Sequence, residues 1–208
     1  MENVTALNHS AEPTEFSLTP DSLGKLGMWL FLIGDAMSFG GLLAAYGAIR
    51  ASAPTWAPPS EILGIPLTAF MTFLLICSSL TMVKALESIQ NGNASRMCGF
   101  LGLTILGGLI FLGLQAYEWT HLIQHGLTLT TLPHGISGST LFGPTFFTIT
   151  GFHGAHVTGG VIYLSCILIQ GLRGRYTPEH NHEVEIVGLY WHFVDLVWIM
   201  VFTFVYLL

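Results

Sequence analysis

The sequence predicts an all-α polytopic membrane protein with five transmembrane helices. Three observations carry that prediction. The chain of 208 residues is 51% hydrophobic and only 9% charged, where a soluble domain averages about 25% charged residues. Its mean hydropathy is +0.64. Its apolar residues collect into five stretches long enough to cross a bilayer, which takes about 20 residues of helix.

Taken in order, residues 1–24 come first. They are polar and acidic (Glu2, Glu12, Glu15, Asp21) and lack the basic start and short apolar run of a cleavable signal. They are predicted to form a cytoplasmic tail, with the first span serving as its own insertion signal. The spans then fall at about 26–49, 66–85, 97–117, 144–172 and 184–208, together making a bundle over 25–208. The links "RASAPTWAPPSE" and "HGLTLTTLPHGISGST" are rich in Pro, Gly, Ser and Thr, as loops are. No internal repeat and no second domain is visible. Cys77, Cys98 and Cys166 all lie in apolar segments and read as free thiols.

The six basic residues set the orientation. With the N-terminus in the cytoplasm, Lys25, Lys84, Arg96, Arg173 and Arg175 are inside and only Arg50 is outside. The positive-inside rule therefore predicts a cytoplasmic N-terminus and a C-terminus on the periplasmic side. Trp56, Trp119 and Tyr206 fall near outer ends, and Tyr190 and Trp191 near an inner one. An interfacial aromatic belt and ordinary helix packing both fit them. Trp29, Arg173 and Arg175 lie where lipid headgroups would meet the inner interface. A net charge of −6 argues against nucleic acid as a partner. Glycine patches on the third span (Gly99, Gly102, Gly107, Gly108) and the fourth (Gly151, Gly154, Gly159, Gly160) suit close helix approach in lipid.

The chemistry, if any, lies in ionisable residues inside these spans. Asp35 is about nine residues into the first, roughly 14 Å deep at 1.5 Å per residue. His153 and His156 are three apart on the fourth, and His192 and Asp195 three apart on the fifth. Glu118 and His121 close the third. An aspartate at a span centre costs about 2.5–3.5 kcal/mol on insertion scales, so such groups face the bundle interior and find partners. Three readings are open for Asp35, Glu118, His153, His156, His192 and Asp195. Asp195, His192, Asp35 and a histidine of the fourth span could form an interhelical polar network that fixes helix contacts. They could handle protons or tune a neighbouring subunit. The histidines could bind metal or haem, although the carboxylate–histidine set of di-iron bundles is missing.

The loop "RYTPEHNHEVE" brings Glu179, His180, His182, Glu183 and Glu185 to the inner face. It reads either as a proton-collecting or metal-binding cluster or as a solvated turn whose acids suit the start of the fifth helix. No nucleotide loop, nucleophile–base arrangement or zinc signature appears in the sequence.

"TGFHGAHVTGG" followed by "YWHFVDLVWIMVFTFVYLL" resembles subunit III of the haem-copper (cytochrome c) oxidases. "LQAYEW" (Leu114–Trp119), "GSTLFGPTFF" (Gly138–Phe147) and "GMWLFLIGDAMSFGGLLAAY" extend the likeness over roughly Lys25 to Leu208. The resemblance implies a core subunit of an aerobic respiratory complex in the bacterial cytoplasmic membrane, in its five-helix form. That subunit holds no haem, copper or catalytic centre of its own. It packs on subunit I and other oxidase subunits, binds phospholipid, and supports turnover and proton uptake. The resemblance places the family's intramembrane carboxylate at Asp35 and its histidines and acids at His153, His156, Glu118, His192 and Asp195. Longer members carry two further N-terminal helices, and many have glutamate at the position of Asp35. An aspartate there looks like some quinol oxidases, whereas "QAYEW" and "TGFHG" look more like cytochrome c oxidases. A nitric oxide reductase accessory protein of the same family and a free-standing proton-linked transporter are the alternatives. Against the transporter, five spans do not divide into repeats.

Overall fold

A computed structural model of the chain describes residues 20–208 except His134, with nothing said of the side chains of 20–22. Residues 1–19, most of the expected tail, lie outside the described residues. The elements are α1 (Pro20–Ser52), a short α2 (Pro59–Ile62), α3 (Ile65–Gln90), α4 (Ala94–Gln124), α5 (Phe142–Leu172) and α6 (His182–Val201), which continues as a π-helical segment, Phe202–Leu207. No strand occurs among the described residues. Five helices are long and apolar enough to cross a membrane.

Each long helix outruns its apolar stretch. α4, for example, continues to Gln124 through "EWTHLIQ". Hydropathy marks where lipid ends, but backbone hydrogen bonds carry a helix on into the interfacial layer. What stops three of these helices is glycine. Gly92, Gly126 and Gly174 follow α3, α4 and α5 with φ of 78°, 95° and 74°, values that side-chain-bearing residues rarely adopt. Around each, the next amide reaches back to close the last turn: Asn93 N–H to Ser88 O, Leu127 N–H to Leu122 O, and Arg175 N–H to Gln170 O. This is the Schellman C-cap, used three times.

α3, α4, α5 and α6 close a ring in which each packs on the next and α6 returns to α3, while α1 lies outside against α6 and α5. The core is aromatic, with Trp191, Trp198, Tyr206, Phe111, Phe142 and Phe146 all fully buried. Trp191 and Tyr206 are thus packing residues and not belt residues. Trp191 is the hub. A Cβ on Gly108 of α4 would come within 2.7 Å of its ring, and one on Gly160 of α5 within 2.9 Å. Its indole N–H donates to Ser78 Oγ of α3 at 3.1 Å. Outward faces are apolar (Leu30, Met37, Phe73, Leu80, Leu103, Ile162), a surface suited to lipid or another apolar subunit and hazardous in water.

One end of the bundle holds Lys25, Lys84, Arg96, Arg173 and Arg175, at the start of α1, around the α3–α4 turn and after α5. Lys25 pairs there with Glu185 of α6 at 2.7 Å. Arg50 lies at the opposite end, where its guanidinium donates to the Leu208 backbone oxygen.

Candidate functional site

The ionisable residues do not form one network. They fall into three clusters on different helix pairs, and the register of each helix decides which.

On α1 the inward positions Met28, Leu32, Asp35, Phe39, Leu42 and Tyr46 alternate by four and three residues, and the three most deeply buried, Leu32, Phe39 and Tyr46, are seven apart. This is the narrow seam by which one helix rides on others. Asp35 occupies a seam position, so its carboxylate is directed at α5, where Oδ2 lies 3.2 Å from His156 Nε2. His156 Nδ1 sits 2.8 Å from the Phe152 carbonyl oxygen. That oxygen can only accept, so Nδ1 carries its hydrogen and Nε2 is the nitrogen left for Asp35. The contact is attractive only if one proton lies between Nε2 and Oδ2, and the pair is then neutral overall, as a membrane interior favours. Oδ2 receives no aligned hydrogen bond, so the two groups meet by proximity alone. Phe39 and Phe152 pack edge-on against the His156 ring, and Tyr190 O–H of α6 donates to the His156 carbonyl oxygen at 2.9 Å. Three helices meet here.

The second cluster joins α3 and α6. Ser79 Oγ hydrogen-bonds His192 Nδ1, while Asp195 Oδ1 is buried with no hydrogen-bond partner among the described residues. Asp195 lies on the buried stripe of α6, between Trp191 and Trp198.

The third is at the end opposite the basic one. Glu118 is buried on α4. Its Oε1 accepts from Thr68 Oγ1 of α3 at 3.0 Å, and its Oε2 accepts from Tyr206 O–H at 3.0 Å. No Lys, Arg or His bonds to it among the described residues. The π-helical segment explains how Tyr206 arrives. In an α-helix, eight steps of about 100° would turn Tyr206 about 80° away from Trp198. The wider turn brings the two rings to 6.1 Å.

His153 stands apart from its neighbour in sequence. It lies on the central stripe of α5 and is fully buried, whereas His156 flanks that stripe and faces α1. Its ring is tilted against Trp198 at 4.8 Å and edge-on to Phe111 at 5.7 Å. Neither ring nitrogen has a hydrogen-bond partner among the described residues.

At the basic end, Trp29 and Arg173 are exposed, while Arg175, also exposed, pairs with Glu183 at 2.9 Å. Tyr176 O–H donates to Glu183 at 2.7 Å. Burial, with help from that bond to Glu183, pushes the Tyr176 hydroxyl well above the usual phenol range, so it stays a donor at physiological pH. With Glu183 held by Arg175 and Tyr176, and Glu185 by Lys25, two of the three acids of that loop are already engaged. No group of three or more His, Cys, Asp or Glu is placed to hold a metal ion among the described residues.

Sequence reasoning found the charged members but not their partners. Thr68, Ser79 and Tyr206 supply the hydroxyls, and only a stripe of Thr and Ser along an otherwise apolar second span (68, 72, 78, 79, 81) hinted at the first two.

The family model described as cytochrome c oxidase subunit III matches residues 18–208. Cytochrome c oxidase subunit 3 of Bacillus subtilis (strain 168) is 36% identical over 211 aligned positions, covering 100% of this chain and 96% of the relative. Cytochrome c oxidase subunit 3 of Corynebacterium diphtheriae is 34% identical over 193, covering 91% and 90%. Quinol oxidase subunit 3 of Bacillus subtilis (strain 168) is 33% identical over 208, covering 100% and 98%.

Proposed function

The chain belongs to the cytochrome c oxidase subunit III family, and from that premise we propose that it serves a cytochrome c oxidase as a non-catalytic core subunit. As a subunit III of a haem-copper oxidase, it is a multi-pass protein of a bacterial cytoplasmic membrane. The finer reading is that it packs on subunit I, binds phospholipid, and steadies proton uptake at the basic end, which faces the cytoplasm. Five of six basic residues at one end support that orientation.

The observation that carries a working role for the buried groups is the Asp35–His156 pair at 3.2 Å. It is a contact between two ionisable side chains that ties the outlying α1 to α5 inside the apolar bundle. A role confined to supporting subunit I predicts a specific phenotype. Asp35→Ala in the assembled oxidase leaves the initial rate of oxygen reduction near wild type but shortens the enzyme's active life under turnover. Wild-type rate and wild-type lifetime together would leave Asp35 as packing only.

The choice of donor is a proposal as well. The relatives include both cytochrome c and quinol oxidase subunits, and the motif "QAYEW" favours the former. Oxidation of reduced cytochrome c by the purified complex, and not of a quinol, is the matching assay.

Trp29 and Arg173 are proposed lipid-headgroup contacts because both are exposed at the basic end. Arg175 contributes charge there while bound to Glu183.

A further inference from the structure

We propose that His121 and His125 form a two-imidazole clip for a divalent transition-metal ion at the far end of α4. The two are four residues apart and share a helix face. Both are exposed, and their rings lie 4.1 Å apart at 31°. His125 Nδ1 lies 2.8 Å from the His121 carbonyl oxygen. That oxygen only accepts, so Nδ1 carries the hydrogen and the lone pair is left on Nε2, away from the helix. A ring N–H held by a backbone carbonyl is the support that metal-binding histidines regularly have. The His121 ring nitrogens have no hydrogen-bond partner among the described residues.

Two further features favour a cation at this spot. The pair closes the C-terminal end of a 31-residue helix, where the backbone dipoles leave partial negative charge. One turn inward, His121 and the buried Glu118 line the same pocket of about 260 Å³, whose other walls include Ile62, Leu63, Leu67 and Leu122, with no lysine or arginine. Imidazole donors suit zinc, copper and nickel ions. With two protein ligands and water in the remaining positions, the ion exchanges freely and is not a resident cofactor. The two imidazoles lie outside the three interhelical clusters, and the pocket beside them reaches Glu118 of the third.

Zinc chloride titrated calorimetrically into the detergent-purified complex that contains this chain tests the clip. A zinc site should be present in the wild type, and in His121→Ala or His125→Ala its dissociation constant should rise at least about tenfold, the loss seen on removing even a second-shell partner. His180→Ala, on the loop at the basic end, should keep the site. An unchanged isotherm in the double alanine variant would overturn the proposal. Should the variants fail to assemble, diethyl pyrocarbonate labelling of the wild-type complex tests the same clip without a substitution. Zinc should protect His121 and His125 from modification, read by peptide mass spectrometry, and absence of protection on both would refute the clip.

Discussion

Glu118 shows what a single residue needs in order to sit buried in a span. It has no cation. Two hydroxyls on two other elements, Thr68 and Tyr206, satisfy its two oxygens at 3.0 Å each. A buried carboxyl that loses one of its two donors is left with a stranded oxygen, and this costs stability because no water replaces the donor. Tyr206→Phe keeps the ring packing on Phe146 and Trp198 and removes one donor. It should lower the thermal stability of the detergent-solubilised protein by about 1 kcal/mol, in the range measured for interhelical hydrogen bonds in membranes. Thr68→Val should do the same from the other side. A Tyr206→Phe protein as stable as wild type would mean that the hydroxyl contributes nothing. His153 is the contrasting residue, buried among Phe111 and Trp198 with both ring nitrogens unpaired among the described residues. Its aromatic surroundings hold it by shape and ring stacking.

Among the elements, α4 shows that two glycine pairs of the same appearance do different jobs. Gly107 and Gly108 are buried and face occupied space. A Cβ on Gly107 would lie 2.8 Å from Ser78 Cβ, and one on Gly108 2.7 Å from both Trp191 and Val161. Gly99 and Gly102 have nothing within 4 Å. Small residues matter in lipid only where a neighbour uses the missing volume. Gly108→Ala and Gly160→Ala should therefore each destabilise the bundle by about 1–3 kcal/mol, the usual penalty for overpacking. Gly99→Ala should be neutral. Thermal unfolding of the four proteins side by side checks this, and equal effects at Gly99 and Gly108 would remove Trp191 from its place as the hub. The sequence shows all these glycines but does not tell the two pairs apart, because the distinction depends on which faces of α4 meet α3, α5 and the Trp191 ring.

For the whole molecule, the telling feature is asymmetry. Four helices close a ring around a tryptophan-rich centre, and α1 is attached along one narrow seam with most of its apolar surface outside. Gly27, Gly34, Gly40, Gly41 and Gly47 of α1 have open space where a side chain would be. A helix so thinly attached is held by the bilayer, by its seam, and by whatever subunit packs beside it. Mild-detergent isolation of a tagged chain should bring down a haem-bearing, oxygen-reducing partner, visible in the absorbance spectrum of the eluate. A colourless, stoichiometrically pure chain under conditions that keep the membrane complex intact would refute assembly into an oxidase.

Composition and hydropathy alone determined that this is a five-helix membrane protein, because the bilayer allows few ways to satisfy a backbone and each demands a long apolar run. The short C-terminal motifs determined the family, and "NGN", "HGL" and "RGR" already carried the glycines that end three helices. Tertiary structure alone decided how the buried acids and histidines are shared out. His153 and His156 are neighbours in sequence, yet about 100° of helix per residue turns one into the core and the other towards Asp35. Glu118 looked like the end of a span but lies inside a longer helix. Its partner Tyr206 reaches it only through a widened final turn. Partner choice depends on the relative rotation of packed helices, and that rotation is set by side-chain volumes meeting across interfaces, which no single stretch of sequence contains.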